Sequence, residues 1–381
     1  MTQITSGDAT RPAPSPTVII APDAFKGSAS AGEAAEWLGE GVRSIIKDAD
    51  ITLVPMADGG EGTSGLFSGE RVTLPTTDAA GRLTEATYTY DAATSTAFID
   101  VSAASGLPAV KDNPVPLRGD TYGTGVLIAD AQTRGATRIV LGLGGSATID
   151  GGTGILVALG AQPVNAAGYN LTPGGGGLVD LADFDTATLN IPAGSVDWVL
   201  LADALVPATG ERGAARVFGP QKGADDGDVE LLDRGLARLC EVTGVDPAAP
   251  GAGAAGGIAV GITWLSRLLH GNDDHVSVVA GAKLIAETHG LGEMLENASL
   301  VVTGEGRFDD QSPEGKVVST VLDLASRAGT TAAVAAGSIE HDLPEGVIGV
   351  ELEDLDDTAE QLRRAGARIA VDYLRISTVQ G

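Results

Sequence analysis

The apolar positions of this chain follow two rhythms, and their order outlines the fold. TVIIA, residues 17–21, is a short β-branched run of the kind that fills a strand buried on both faces. PDAFKGS then reads as a turn. Ser30 and Glu33 have the spacing of a capping box, in which each side chain satisfies a main-chain donor at a helix start. Ala34, Leu38, Val42, Ile45 and Ile46 follow at helical spacing, and ITLVP from Ile51 reads as the next strand. A strand, helix and strand in succession predict a parallel sheet with a right-handed crossover. The middle of the chain changes character. RVTLP, ATYTY and TAFIDV alternate with a period of two, which predicts strands that are in part antiparallel. A helix is expected over Thr124–Arg134, then the strand RIVLGLG, a Gly- and Pro-rich loop from Ala166 to Gly177, the strand WVLLAD (198–203), a helix near 228–243 and the apolar helix GIAVGITWLSRLL. SLVVTGEG, AAVAAGS and GVIGVEL restore the strand–helix alternation. The expected fold class is therefore α/β. A Rossmann-like parallel-sheet domain is formed by both chain ends (17–66 and 286–376), and a mixed α/β domain (67–285) is inserted in it. Residues 1–16, polar and Pro-rich, read as a disordered tail.

Length and composition agree with two domains. The chain has 381 residues, 43% of them hydrophobic but only 4% aromatic, with 54 glycines. That mixture suits closely packed layers with glycine turns near a ligand. The net charge of −27 argues against nucleic-acid or anionic-lipid partners, which carry dense negative charge themselves. Cys240 is the single cysteine, so no internal disulfide can form; it falls in a helical pattern and reads as a buried thiol. The polar N-terminus lacks a signal-peptide core, and no run of about 18 apolar residues suggests a membrane span, which leaves the cytoplasm as the expected location.

Against this acidic background, an anion would require local cations. Six stretches combine glycine with isolated charges: PDAFKGS, ADGGEGT, GLGGSATIDGG, FGPQKGA, GAGAAGG and TGEGRFDDQSPEGK. Most follow an expected strand, and open parallel sheets bind ligands at the carboxyl ends of their strands. Glycine turns expose main-chain amides that cradle phosphates. Lys26, Lys222, Arg307 and Lys316 each sit in such a turn. The carboxylates Asp23, Asp58, Glu61, Asp150, Asp203, Glu305 and Asp309 lie within a few residues of a strand end. Cations and amides to neutralise phosphates, carboxylates for Mg²⁺ and a carboxylate for an alcohol proton are the parts of phosphoryl transfer. Other chemistries lack support. There is no G-x-x-x-x-G-K-[ST]. The G-x-G-x-x-A match at Gly142–Ala147 lacks the acidic residue about 20 positions later that would hold a ribose. The four histidines show no metal-ligand spacing, and Ser146 lacks a G-x-S-x-G elbow.

The motifs APDAFKGSASA, VPMADGGEGT, ASGL, NPVPLRGDTYGTG, GLGGSATIDGG, FGPQKGA, PGAGAAGG and TGEGRFDDQSPEGK, in this order from about Val18 to Glu351, resemble the bacterial glycerate kinases of the glycerate 2-kinase type. The resemblance implies two α/β domains with the site between them, ATP and Mg²⁺ as cofactors, D-glycerate as the small-molecule substrate and 2-phosphoglycerate as product. It also leaves room for a homodimer. On this reading Lys26 and Arg307 contact the transferring phosphoryl or the substrate carboxylate, and Asp58 or Asp203 is the general base or a Mg²⁺ ligand. The amides of Gly144, Gly145 and Ser146 and the turn containing Gly253 and Gly256 hold phosphates. Glu61, Lys222 and Lys316 are further substrate- or phosphate-binding candidates, with structural roles the alternative for the two lysines. Asp150, Glu305 and Asp309 join Asp58 as candidate metal ligands. Three departures from the family pattern, Ala24, Ile149 and Val206, replace polar groups by apolar ones and bear on substrate identity. They keep open a kinase of the same fold for another hydroxy acid or polyol; a non-catalytic ligand-binding regulator derived from a kinase is a separate alternative, against which the retained charged residues argue.

Overall fold

The computed structural model describes residues 15–25, 27–202, 206–309 and 316–380. Contacts divide the chain into two units: Met1–Pro55, Glu287–Gln311 and Val321–Gly381 form the first, Met56–Ala286 and Ser312–Thr320 the second.

The first unit carries a five-stranded, wholly parallel sheet in the order Ile348–Glu351, Thr331–Ala336, Leu300–Glu305, Thr17–Ile20, Asp50–Leu53. Its central strands are continuous apolar runs because both faces are covered; every residue of Leu300–Glu305 is buried. The helix Ala31–Ile45 begins at the expected capping box, with the Ser30 hydroxyl accepting from the Glu33 amide and the Glu33 carboxylate from the Ser30 amide. Its inner face, Leu38 and Val42, packs with Leu362 and Ile369 of the C-terminal helix Thr358–Gln380. The two helices approach at glycines: a Cβ on Gly41 would meet the Arg363 carbonyl, and one on Gly366 the Leu38 carbonyl. Overpacking a close contact costs about 1–3 kcal/mol. Gly366→Ala should therefore lower the melting temperature of this unit by several degrees in calorimetry, although alanine is the better helix former. An unchanged or higher melting temperature would contradict the close approach.

The second unit holds a six-stranded mixed sheet in the order Val276–Val279, Asp197–Leu201, Arg138–Gly142, Thr96–Asp100, Leu83–Asp91, Glu70–Thr77. The first four strands are parallel, and the alternating strands Glu70–Thr77 and Leu83–Asp91 join antiparallel. Trp198, Tyr88, Ile99, Ile139 and Leu141 fill its core, beneath helices that include Tyr122–Thr133, Asp226–Thr243 and Ile258–His270. Cys240 is buried on the second of these helices, and burial pushes its thiol up to about 11.

The fold class is thus α/β, with one parallel sheet drawn from both chain ends and one mixed sheet inserted. The sequence places the domain boundaries after residues 66 and 285; the contacts divide the chain after Pro55 and Ala286. Residues 56–66 group with the second unit because their glycines pack directly on its strand ends. The hairpin of Gln162–Val164 with Asp183–Asp185 and the strand Val276–Val279 were not foreseen.

Candidate active site

Three parallel strands of the second unit, Thr96–Asp100, Arg138–Gly142 and Asp197–Leu201, end side by side, and two glycine turns interlock over them. In the first turn, Asp58 accepts the Gly60 N–H at 2.9 Å, a bond that a short carboxylate side chain makes to its own turn. In the second, the Gly144 N–H donates to the Gly59 carbonyl at 2.9 Å. Glycine is required here by proximity. A Cβ on Gly59 (φ +98°) would lie 2.8 Å from Leu201 Cβ, one on Gly142 would lie 2.7 Å from the Gly59 carbonyl oxygen, and one on Gly144 would lie 2.6 Å from Gly60 Cα. The second oxygen of Asp58 accepts no hydrogen bond among the described residues, and Glu61 is exposed.

Asp100, the last residue of its strand, anchors the next part of the first turn. It is 5% exposed and accepts the N–H groups of Gly62 (3.1 Å) and Ser64 (2.9 Å) and the Ser64 hydroxyl (2.9 Å). Burial pushes its carboxyl up to about 6, against the lowering by these bonds. The sequence reading passed over Asp100; its one signal was a lone acid closing the apolar run TAFID.

The turn from Gly142 to Thr148 is held on both sides. Leu107 N–H donates to the Gly145 carbonyl (3.0 Å) and Ala147 N–H to the Ser105 carbonyl (2.8 Å). The intervening N–H groups of Gly145 (φ +72°) and Ser146 donate to no acceptor among the described residues. Successive unbonded amides at a strand end are donors that can receive an anion. Lys222 lies behind this turn, 4% exposed, with Nζ donating to Ser146 Oγ (2.9 Å) and the Thr148 carbonyl (2.7 Å). Desolvation pushes its amine down to about 7, and the Asp150 charge opposes that shift.

Several sequence assignments change on this geometry. Asp150 cannot serve as a metal ligand: fully buried, it accepts from the Thr121 N–H and hydroxyl and from the N–H groups of Gly152 and Gly154, at 2.8–3.1 Å. It thereby occupies the start of the helix Thr153–Ala158, where a Rossmann fold would place a phosphate. Gly253 and Gly256 do not hold a phosphate with their amides, which donate to the carbonyls of Val206 (2.8 Å) and Gly253 (3.2 Å). They are glycines because a Cβ would meet the carbonyls of Pro207 and Thr148. The Gly144 amide is likewise taken by Gly59. The Lys222 Nζ is committed to Ser146 and Thr148 behind the turn. Ile149, expected near the ligand, is 1% exposed and packs in the core.

In the first unit, Glu305 closes its strand and is buried. Arg307 pairs with Glu340 at 2.6 Å and Asp309 at 3.6 Å. Lys316, which groups with the second unit, directly precedes the helix Val317–Ala328, and its carbonyl accepts from the Ser319 hydroxyl and Thr320 N–H. Lys26 and Asp203 lie outside the described residues. Among the described residues no group of three or more His, Cys, Asp or Glu side chains could hold a metal ion.

Comparison with known proteins decides between families that share such turns. The profile of the glycerate kinase family matches residues 18–364. The chain belongs to the glycerate kinase family. Relatives in that family include the glycerate kinase of Halalkalibacterium halodurans, 37% identical over 334 residues (85% of this chain, 86% of that one). The glycerate 2-kinase of Escherichia coli is 38% identical over 339 residues, 86% of each chain. A crystal structure described as that of a glycerate kinase 2 from Salmonella typhimurium LT2 superposes with a TM-score of 0.80 at 34% identity, covering 96% of this chain and 99% of that one. No helix among the described residues is long and apolar enough to cross a membrane.

Proposed function

We propose that this glycerate kinase family member transfers the γ-phosphoryl of ATP to a hydroxyl of D-glycerate, giving 2-phosphoglycerate in the cytoplasm. The observation that carries the reading is the pair of unbonded amides at Gly145 and Ser146. They meet two needs of phosphoryl transfer, main-chain donors for phosphate oxygens and a rigid position for them. Asp58, fixed by the interlocked turns with one oxygen open, supplies the carboxylate. One carboxylate suffices for Mg²⁺ carried on the nucleotide, because Mg²⁺ commonly takes one or two carboxylates and completes its shell with phosphate oxygens and water. Asp58 would hold it, and the ion would neutralise charge on the phosphates. The chain's own part is to bind, orient and accept the alcohol proton at a carboxylate, with Asp58 the described candidate.

A substrate panel tests the reading. With Mg·ATP and coupled detection of ADP, D-glycerate should exceed lactate and glycerol by about 100-fold or more in kcat/KM, since each lacks a group that a polar site would leave unpaired. Direct coupling to enolase, without a mutase, should detect 2-phosphoglycerate. Preference for another hydroxy acid or polyol, or a product that enolase ignores, would overturn the substrate or the regiochemistry respectively.

A further inference from the structure

We propose that Lys222 is a positioning residue for phosphate binding: from behind the Gly142–Thr148 turn its ammonium fixes the two unbonded amides and holds the Ser146 hydroxyl as a donor towards the ligand. The inference rests on the family's kinase reaction and deepens the phosphate-binding part of that reading.

The argument begins with directionality. In its ammonium form, which the Thr148 carbonyl at 2.7 Å and the Asp150 charge favour, Lys222 has three protons and no lone pair, so at 2.9 Å the Ser146 oxygen accepts from it. The hydroxyl proton of Ser146 is then left to point elsewhere, and no acceptor for it exists among the described residues. Two main-chain N–H groups and one hydroxyl on residues 145 and 146 are thus donors without an internal partner. The second Lys222 bond, to the Thr148 carbonyl at 2.7 Å, ties down the other end of the same turn. The arrangement is built and non-local. Lys222 stands in the short helical turn Pro220–Lys222, 76 residues from Ser146 in sequence, and its ammonium lies 5.8 Å from the centre of the Phe218 ring. A lysine so placed has lost its water. Its compensation is these bonds and the nearby charge of Asp150, the charged group that acts on it. A residue kept buried at this cost, with two donors aimed at one turn, acts through that turn.

The test pairs Lys222→Met, which keeps length and removes every donor, with Ser146→Ala. In the full chain, Lys222→Met should lower kcat/KM for ATP by about 100-fold and weaken Mg·ADP binding by calorimetry about 10-fold or more. KM for glycerate should stay within about threefold. Ser146→Ala should lose about 10-fold in kcat/KM for ATP, and the double variant should be no worse than Lys222→Met, because both act through one hydroxyl. Additive losses, or a folded Lys222→Met within threefold of the parent, would overturn the proposal. Should Lys222→Met fail to fold, Ser146→Ala decides alone: parental kinetics sink the idea. A parent that turns over no glycerate would instead reject the substrate reading, while the Mg·ADP titrations would still judge Lys222.

Discussion

Gly144→Ala should cost at least about 100-fold in kcat/KM for glycerate phosphorylation while leaving the circular dichroism spectrum unchanged. The new methyl would stand 2.6 Å from Gly60 Cα and 3.1 Å from Gly60 N, distances that backbone atoms cannot absorb without moving. What moves is the turn carrying Asp58, because the Gly144 N–H bond to the Gly59 carbonyl couples the two turns. Displacement of about 1 Å in a group that positions reactants can cost on the order of 100-fold in rate. The core beneath is untouched, so loss of activity should outrun loss of stability. Gly32→Ala, a glycine with nothing within 4 Å of the added atom, serves as the control and should keep parental kinetics. A Gly144→Ala enzyme within threefold of the parent would show that the turns do not act as one unit.

What could be read from the sequence follows how local each cause is. The capping box at Ser30 and Glu33 depends on residues three apart, and the apolar runs of Thr17–Ile20 and Leu300–Glu305 announce buried strands by themselves. The strand Val276–Val279 escaped because it is a short, half-exposed edge, and Thr358–Gln380 because its many charges dilute its apolar stripe. At the candidate site, glycine and charge marked the right turns without revealing which groups were already satisfied. Asp150 bonds Thr121, 29 residues away, and Lys222 bonds residues 74 and 76 away. Asp100 receives donors from 36 and 38 residues away. Partners at such separations are set by the sheet order, so a carboxylate that caps a loop and one that faces a ligand look alike in sequence. Glycines such as Gly253 and Gly256 mislead for the same reason, since a close approach to a distant carbonyl leaves the same residue type as a phosphate cradle.

Asp150→Asn should destabilise the second unit by about 3–5 kcal/mol, the usual result of removing one partner from a buried charged network. The asparagine would present an NH₂ group to donors that now find carboxylate oxygens: the Thr121 N–H and hydroxyl and the Gly152 and Gly154 N–H groups. At about 2–4 °C per kcal/mol for a unit of this size, its melting temperature should fall by on the order of 10 °C. The loss should also depend on pH. Lys222 has a folded-state pKa of about 7, below its ordinary 10.5, so the unfolded chain binds the extra proton between those values and stability rises with pH across them. Without Asp150 the folded-state pKa drops further, and the added cost falls below about pH 7, where the parent's amine is charged. Asp120, held up to about 6 by burial and by repulsion from Asp150, shifts the balance in the same direction, because relief of that repulsion favours the variant at higher pH. The gap in melting temperature between parent and variant should therefore narrow from pH 5.5 to pH 8 without closing, since the lost amide bonds do not titrate. A gap independent of pH would mean that neither Lys222 nor Asp120 feels the Asp150 charge. A variant as stable as its parent would mean that the carboxylate does not hold this loop.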